Sequence, residues 1–363
     1  MRVPVAPTYP RPVRSSPVDW DLAIRTAKRL APPGPEIPRA EAARAVVELR
    51  TLAVRAEEHV RSVTGLIPPG EPQEATVVDR PGWAAANVAG FRVVLEPLAD
   101  KLLTKKQSAP ALAAARRLTG VQMGTLLAWL SSKVLGQYEV FLPEQGTGRL
   151  VLVAPNIVET ERRLGVDPTD FRMWVALHEV THRTQFTAVP WLHGHVRGEI
   201  GALLEASSLD DPAQLVSRLK NAITQLPRGG SLVELLQTPE QRVVLDRVTA
   251  FMSLLEGHAE HVMDGVGPSV VPSVALIRDR FDQRRREGAG LLDRVLRRLL
   301  GLDLKTLQYA EGKVFVDTAV RELGMAGFNR VWESPATLPT RQEIREPLAW
   351  VSRISGTAVS SAS

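Results

Sequence analysis

The sequence predicts a mainly α-helical protein carrying one small β-sheet, and three observations point there. Apolar residues recur at helical spacing over most of the chain, as at Trp20, Ile24, Ala27 and Leu30. Clusters of proline and glycine separate these runs, at 32–38 and again at 68–72. Strand-like runs rich in β-branched residues are confined to one region, 138–157. With 363 residues, 44% apolar and 23% charged, the chain can bury a sizeable core and is neither disordered nor fibrous in composition.

Taken in order, residues 1–17 hold five prolines and no apolar periodicity, which predicts a disordered tail. The first helix follows from Trp20 and ends at the Pro32–Pro38 break. The second spans roughly Arg39–Thr64, with Ala43, Val46, Val47 and Leu49 as its apolar stripe. Helical patterns then cover 83–105, 108–137, 167–187, 195–207, 211–225, 239–265, 270–300, 305–323 and 341–354. The strand candidates are Leu150–Ile157 and the shorter Tyr138–Leu142, which can pair across the Pro143–Gly148 turn. The small polar end, 355–363, reads as a second disordered tail. Everything between the tails forms one domain: a helical part at 18–137, a central part at 138–265 with a helical insertion at about 195–240, and a helical part at 266–354.

The chain contains no cysteine, which excludes a disulfide scaffold, a thiolate metal site and a cysteine nucleophile. Any metal must therefore be held by histidine and carboxylate. No stretch reaches the roughly 18–20 apolar residues of a membrane span, and the basic, Pro-rich start lacks the apolar core of a signal peptide. The expectation is a cytoplasmic protein with no membrane partner. A net charge of +5 is thinly spread and does not demand nucleic acid. The most basic stretch, around Arg284-Arg285-Arg286, is interleaved with Asp279, Asp282, Glu287 and Asp293 and has few aromatics for base stacking. It reads as a solvated helix, and Gly288-Ala289-Gly290 as a helix break.

The informative segment is His178-Glu179-Val180-Thr181-His182. Asp167 can cap the helix that carries it, and Pro168 suits the first helical position. Residues four apart share a helix face, so His178 and His182 can reach one Zn²⁺ while Glu179 takes a proton from water beside it. Core histidines flanking a glutamate by chance would give the same letters. Six of the seven histidines, however, fall between 178 and 261. A later helix carries Glu256 and Glu260, four apart on a stripe with Val248, Met252 and Met263. Two carboxylates buried there need a cation or a donor. One of them would ligate zinc and the other would support a ligating imidazole.

At this point the sequence resembles the gluzincins, in which HExxH is followed on a later helix by a glutamate ligand. Glu256-Gly257-His258-Ala259 resembles the Glu-Gly-aromatic-Ala segment of the aminopeptidase branch, and the Glu256/Glu260 spacing is similar to a ligand and its supporting carboxylate in the thermolysin branch. The resemblance implies Glu256 as ligand and Glu260 behind it; Glu260 as ligand with Asp264 behind it fits the same spacing. The departure is length, because 73 residues separate His182 from Glu256, far more than in those families. A fuller resemblance runs through Asp79-Arg80-Pro81-Gly82-Trp83, Val134-Leu135-Gly136-Gln137-Tyr138, Ala176–His182, Leu255–His261 and Asn329-Arg330-Val331-Trp332-Glu333. In that order they are similar to an actinobacterial family of zincin-like metallopeptidases associated with deazaflavin coenzyme biosynthesis. This implies a zincin-like fold with its small sheet beside the HExxH helix, helical additions, and a cytoplasmic setting.

The expected activity is zinc-dependent hydrolysis of a peptide or protein substrate, with Zn²⁺ on His178, His182 and Glu256 and Glu179 as general base. A zincin hydrolase also needs a donor for the oxyanion. Of the three tyrosines, Tyr9 falls in the tail and Tyr138 in a strand, leaving Tyr309, for which a core position competes; His193, His195, His258 and His261 are alternatives. Two other functions compete: a catalytically silent zinc-bearing scaffold that binds another protein, and a basic nucleic-acid binder.

Overall fold

A computed structural model describes residues 16–70, 74–102, 109–140, 148–206, 238–287 and 303–360. The predicted helix at 211–225, the helix break at 288–290 and most of the N-terminal tail lie outside the described residues.

The apolar run Leu150–Val153 explains the layering. It forms strand β3 (Arg149–Val153), the centre of a three-stranded sheet of order β1-β3-β2. β1 (Thr76–Val78) pairs parallel to it, and β2 (Gly136–Glu139) antiparallel, with Gly136 opposite Leu152 and Tyr138 opposite Leu150. Both faces of β3 are covered, which is why it reads as continuous rather than alternating hydrophobicity. Val151 and Val153 pack with Trp20, Ala23, Trp83 and Leu127, residues of α1 (Trp20–Leu30), α3 (Arg80–Leu102) and α4 (Ala109–Ser131). Leu150 and Leu152 join a second core with Leu49, Ala53, Ile157, Phe171, Val175 and Val262. These come from α2 (Arg39–Thr64), α5 (Ala154–Leu164), α6 (Pro168–Ala188) and α8 (Pro239–Val266); α7 (Leu192–Ala206) lies between the last two in the chain.

A third core gathers Phe186, Leu254, Phe315, Phe328, Trp332 and Trp350. It packs α8 against the C-terminal elements: α10 (Asp303–Phe328), the 3-10 turn Asn329–Trp332, α11 (Arg341–Arg345) and α12 (Pro347–Ser360). The remaining helix, α9 (Val274–Glu287), lies over α6 through Trp174 and Phe281, whose rings are 5.2 Å apart. The mainly α fold with its sheet beside the HExxH helix is therefore as the sequence predicts. Among the described residues, no helix is long and apolar enough to cross a membrane.

The differences from the sequence reading have local causes. The strand expected at 150–157 stops at Val153, because Pro155 sits in the first turn of α5, where its missing N–H costs nothing. The helix expected at 108–137 stops at Ser131, where the Asn156 side-chain amide donates to the carbonyls of Ser131 (2.7 Å) and Val134 (2.6 Å). That capture frees Gly136–Glu139 to pair with β3, two residues earlier than the predicted strand. β1 is too short to announce itself. At the C-terminus Pro347 divides the predicted 341–354 helix in two, and α12 runs on to Ser360, past the expected start of the tail.

The motifs outside the histidine helix hold these elements together. Asp79 caps α3 by accepting from the Gly82 N–H (2.7 Å). Arg80 is buried, donating to Asn156 (2.6 Å) and the Pro32 and Pro33 carbonyls and pairing with Glu159. The Trp83 indole donates to Gln137 (3.0 Å), whose own amide donates to Asn87 (2.8 Å), so β2 is fastened to α3. Asn329 donates to the Thr64 carbonyl (2.7 Å) at the end of α2.

Candidate metal centre

Helix α6 starts as the sequence requires, with the Asp167 carboxylate accepting from the Asp170 N–H (2.9 Å) and Pro168 in the first turn. It is buried on nearly every side between α2, the sheet and α8, so its polar residues need partners. Helix α8 begins with a capping box in which Thr238 and Gln241 satisfy each other's backbone N–H groups. It crosses α10 at backbone contact. A Cβ on Gly257 would lie 2.2 Å from the carbonyl of Gly312, and one on Gly312 would lie 2.0 Å from the Ser253 oxygen. The two glycines let the helices touch, and this contact seats the neighbouring Glu256 opposite α6.

His178, His182 and Glu256 converge there. The two Nε2 atoms are 3.2 Å apart, and the Glu256 Oε2 lies 3.6 Å from His178 and 3.8 Å from His182. The nearest point equidistant from these three atoms, in their own plane, is about 2.1 Å from each, the length of a zinc–nitrogen or zinc–oxygen bond. Two imidazoles and one carboxylate are also a zinc donor set that leaves a fourth position open. On geometry and on donor chemistry the residues fit the ion.

Glu179 is buried beside this group. Its carboxyl is pushed up to about 8, first by burial and then by the charge of Glu256. It rests on the start of β2: a Cβ on Gly136 would meet its Cγ at 2.7 Å and its Cδ at 2.9 Å. The sheet thus presses on the carboxylate through a residue with no side chain.

Glu260 stands one turn beyond Glu256, half-buried and outside the converging triad. Asp264, one turn further, is exposed and pairs with Arg278 (2.5 Å) and Lys313 (3.1 Å), which turns it away from any ligand-supporting role. Tyr309 is on α10, but its side chain lies outside the described residues. His258 is fully buried against Phe328 and Trp332, 5.4 Å from each ring, and burial followed by the nearby His261 and His182 pushes it down to about 3. It fills the aromatic position of the Glu-Gly-aromatic-Ala segment with its ring and is remote from solvent. His261 pairs with Asp317 (2.7 Å), His193 packs on Phe186 and Tyr138, and His195 sits between Trp191 and Phe251.

The residue that sequence reasoning missed is Gln185. Its Oε1 lies 3.0 Å from the His182 Nδ1, and its amide nitrogen donates to the Leu255 carbonyl (2.9 Å) and faces the His258 Nδ1 (3.0 Å). The available signal was spacing: Gln185 is three residues after His182 and therefore on the same helix face.

Comparison with known proteins agrees with this geometry. The profile of the zincin-like metallopeptidase family matches residues 18–351. No curated protein matches the chain. Among solved structures, the crystal structure of a candidate hydrolase with a novel fold from Chloroflexus aurantiacus is similar, with a TM-score of 0.69 and 32% identity. The match covers 93% of this chain and 99% of that one. A family match spanning both the HExxH helix and the helix of Glu256 leaves one assignment: this chain belongs to the zincin-like metallopeptidases.

Proposed function

We propose that the protein is a zinc-dependent hydrolase that cleaves amide bonds in a peptide or protein substrate. The observation that carries this reading is the convergence of His178, His182 and Glu256 next to a buried carboxylate, Glu179. When bound, zinc supplies a Lewis acid that acidifies water and polarises a carbonyl.

The chain's own residues do the rest. His178, His182 and Glu256 hold the cation. Glu179 takes the proton of the attacking water and delivers it to the leaving nitrogen. Gly136 keeps the carboxylate in place from the sheet side. Among the described residues β2 is one of the two edge strands of the sheet, and an extended substrate along its outer side would run next to Glu179. That edge, together with membership in a metallopeptidase family, supports a peptide over a small ester.

The deciding experiment is metal content by mass spectrometry on the wild type, Glu256→Ala and Glu260→Ala, followed by a quenched-fluorescence peptide library. About one zinc per chain is expected, lost in Glu256→Ala and retained in Glu260→Ala. Glu179→Gln should keep its zinc and lose turnover by about 10²–10⁴-fold. A protein that stays metal-free after zinc is added back would overturn the reading.

A further inference from the structure

We propose that Gln185 is the positioning residue that makes His182 a metal ligand, by fixing its tautomer and its ring plane; this rests on the zinc reading above. A carboxamide has one accepting end and one donating end. The Leu255 carbonyl can only accept, so the end of Gln185 that lies 2.9 Å from it must be the amide nitrogen. The other end, the oxygen, then faces the His182 Nδ1 at 3.0 Å and can only accept from it. His182 therefore carries its proton on Nδ1, and its Nε2 presents a lone pair toward the Nε2 of His178, 3.2 Å away, and the Glu256 carboxylate.

The Gln185 amide also faces the His258 Nδ1 at 3.0 Å, so that nitrogen accepts and His258 is the neutral tautomer with its proton on Nε2. Gln185 is fully buried, and His258 is wedged between Phe328 and Trp332. The amide cannot turn over without placing its own oxygen against the Leu255 carbonyl, two acceptors with no proton between them. A backbone carbonyl of α8 thus dictates, through one side chain, which nitrogen of a histidine on α6 is left bare and would take a metal. Leu255 adjoins Glu256, so the ligands from the two helices are held in register by the same contact.

The test compares Gln185→Glu with Gln185→Met. Gln185→Glu keeps an acceptor for His182 and loses the donor to Leu255; Gln185→Met loses both. Zinc affinity is measured by competition with a chromophoric chelator, the His182 tautomer by ¹⁵N NMR on zinc-free protein, and stability by urea unfolding. Gln185→Met should lose about 10–100-fold in zinc affinity, with the His182 Nδ1–H tautomer no longer dominant. Gln185→Glu should be destabilised yet stay within about threefold of wild-type affinity, because the bond to the ligand survives. Equal loss of affinity in both variants, in proportion to their loss of stability, would mean a purely structural role and overturn the proposal. So would a wild-type His182 protonated on Nε2. The tautomer reading needs no metal, so failure of the zinc assignment and failure of the Gln185 assignment are told apart.

Discussion

Gly136 on the sheet edge and Glu179 on the HExxH helix are in contact so close that a Cβ at 136 would lie 2.7 Å from the Glu179 Cγ and 3.0 Å from its Oε1. Gly136 is not among the glycines with positive φ, so alanine is allowed by the backbone and the cost falls on the carboxylate. Gly136→Ala should displace Glu179 by a fraction of an ångström to an ångström, lowering turnover by about 10²-fold. Zinc content should be unchanged, because no ligand moves. Turnover within threefold of wild type would show that the contact does not set the position of the Glu179 carboxylate.

The crossing of α8 and α10 gives a prediction of opposite logic. Inside an exposed helix, Gly→Ala stabilises by about 1 kcal/mol through propensity. At Gly257 the new Cβ would sit 2.2 Å from the Gly312 carbonyl, and backbone cannot yield as a side-chain tip does. Gly257→Ala should instead destabilise by about 3 kcal/mol as the helices are forced apart. Zinc affinity should fall with it, since Glu256 is the preceding residue. Denaturant unfolding decides the sign, and a stabilised variant would mean that the helices separate freely.

These two contacts show what the sequence could and could not convey. His178, Glu179 and His182 are legible because a helix puts i and i+4 on one face, and Glu256 because a carboxylate on an apolar stripe needs a reason. The caps of α6 and the extent of α8 follow from local rules that act within one turn. Gly136 and Gly257 carry no such signal: a glycine in an extended segment or a helix looks like a weakness until its neighbour from another element is known. Gln185 looked like one more polar residue, since its role depends on Leu255 and His258, seventy and more positions away. Asp264 misled for the same reason. Its spacing fits a supporting carboxylate, but Arg278 and Lys313 claim it. The strand at 136–139 was shifted because Asn156, in another helix, ends α4 early.

A buried ion pair behind the site could not be read either. Arg183, next to His182, is paired with Glu57 on α2, and both are nearly inaccessible. Burial pushes the Glu57 carboxyl up and the Arg183 guanidinium down, so each charge is sustained chiefly by the other. Removing one partner, as in Glu57→Met, should cost about 3–5 kcal/mol by stranding the other charge. The double variant Glu57→Met/Arg183→Met should recover most of that loss, because two apolar side chains need no desolvation. Urea unfolding of the four proteins forms a double-mutant cycle, and additive losses would mean that the pair is not coupled.

The acid side of the stability profile should depend on Glu343. Burial alone would raise its carboxyl, but the hydrogen bond from Arg353, the backbone N–H of Thr340 and the Arg353 charge outweigh it and hold the group below its ordinary 4.5. A group whose folded value is depressed contributes stability that is present above the unfolded value and is lost as pH falls through the folded one. Glu343→Gln removes the charge while leaving an oxygen to accept from the Thr340 N–H, now 2.8 Å from Glu343, so the capping box survives. At pH 7 the variant should be less stable by about 1 kcal/mol, the charge-assisted bonds being discounted because the Arg353 side chain is 36% exposed. That gap should close as pH is lowered from 4.5 and vanish once Glu343 is protonated in both the folded and unfolded chain. Urea unfolding of both proteins across this range measures the gap directly. A difference that persists undiminished in acid would mean that shape or hydrogen bonding at position 343, rather than its charge, supports the end of the chain.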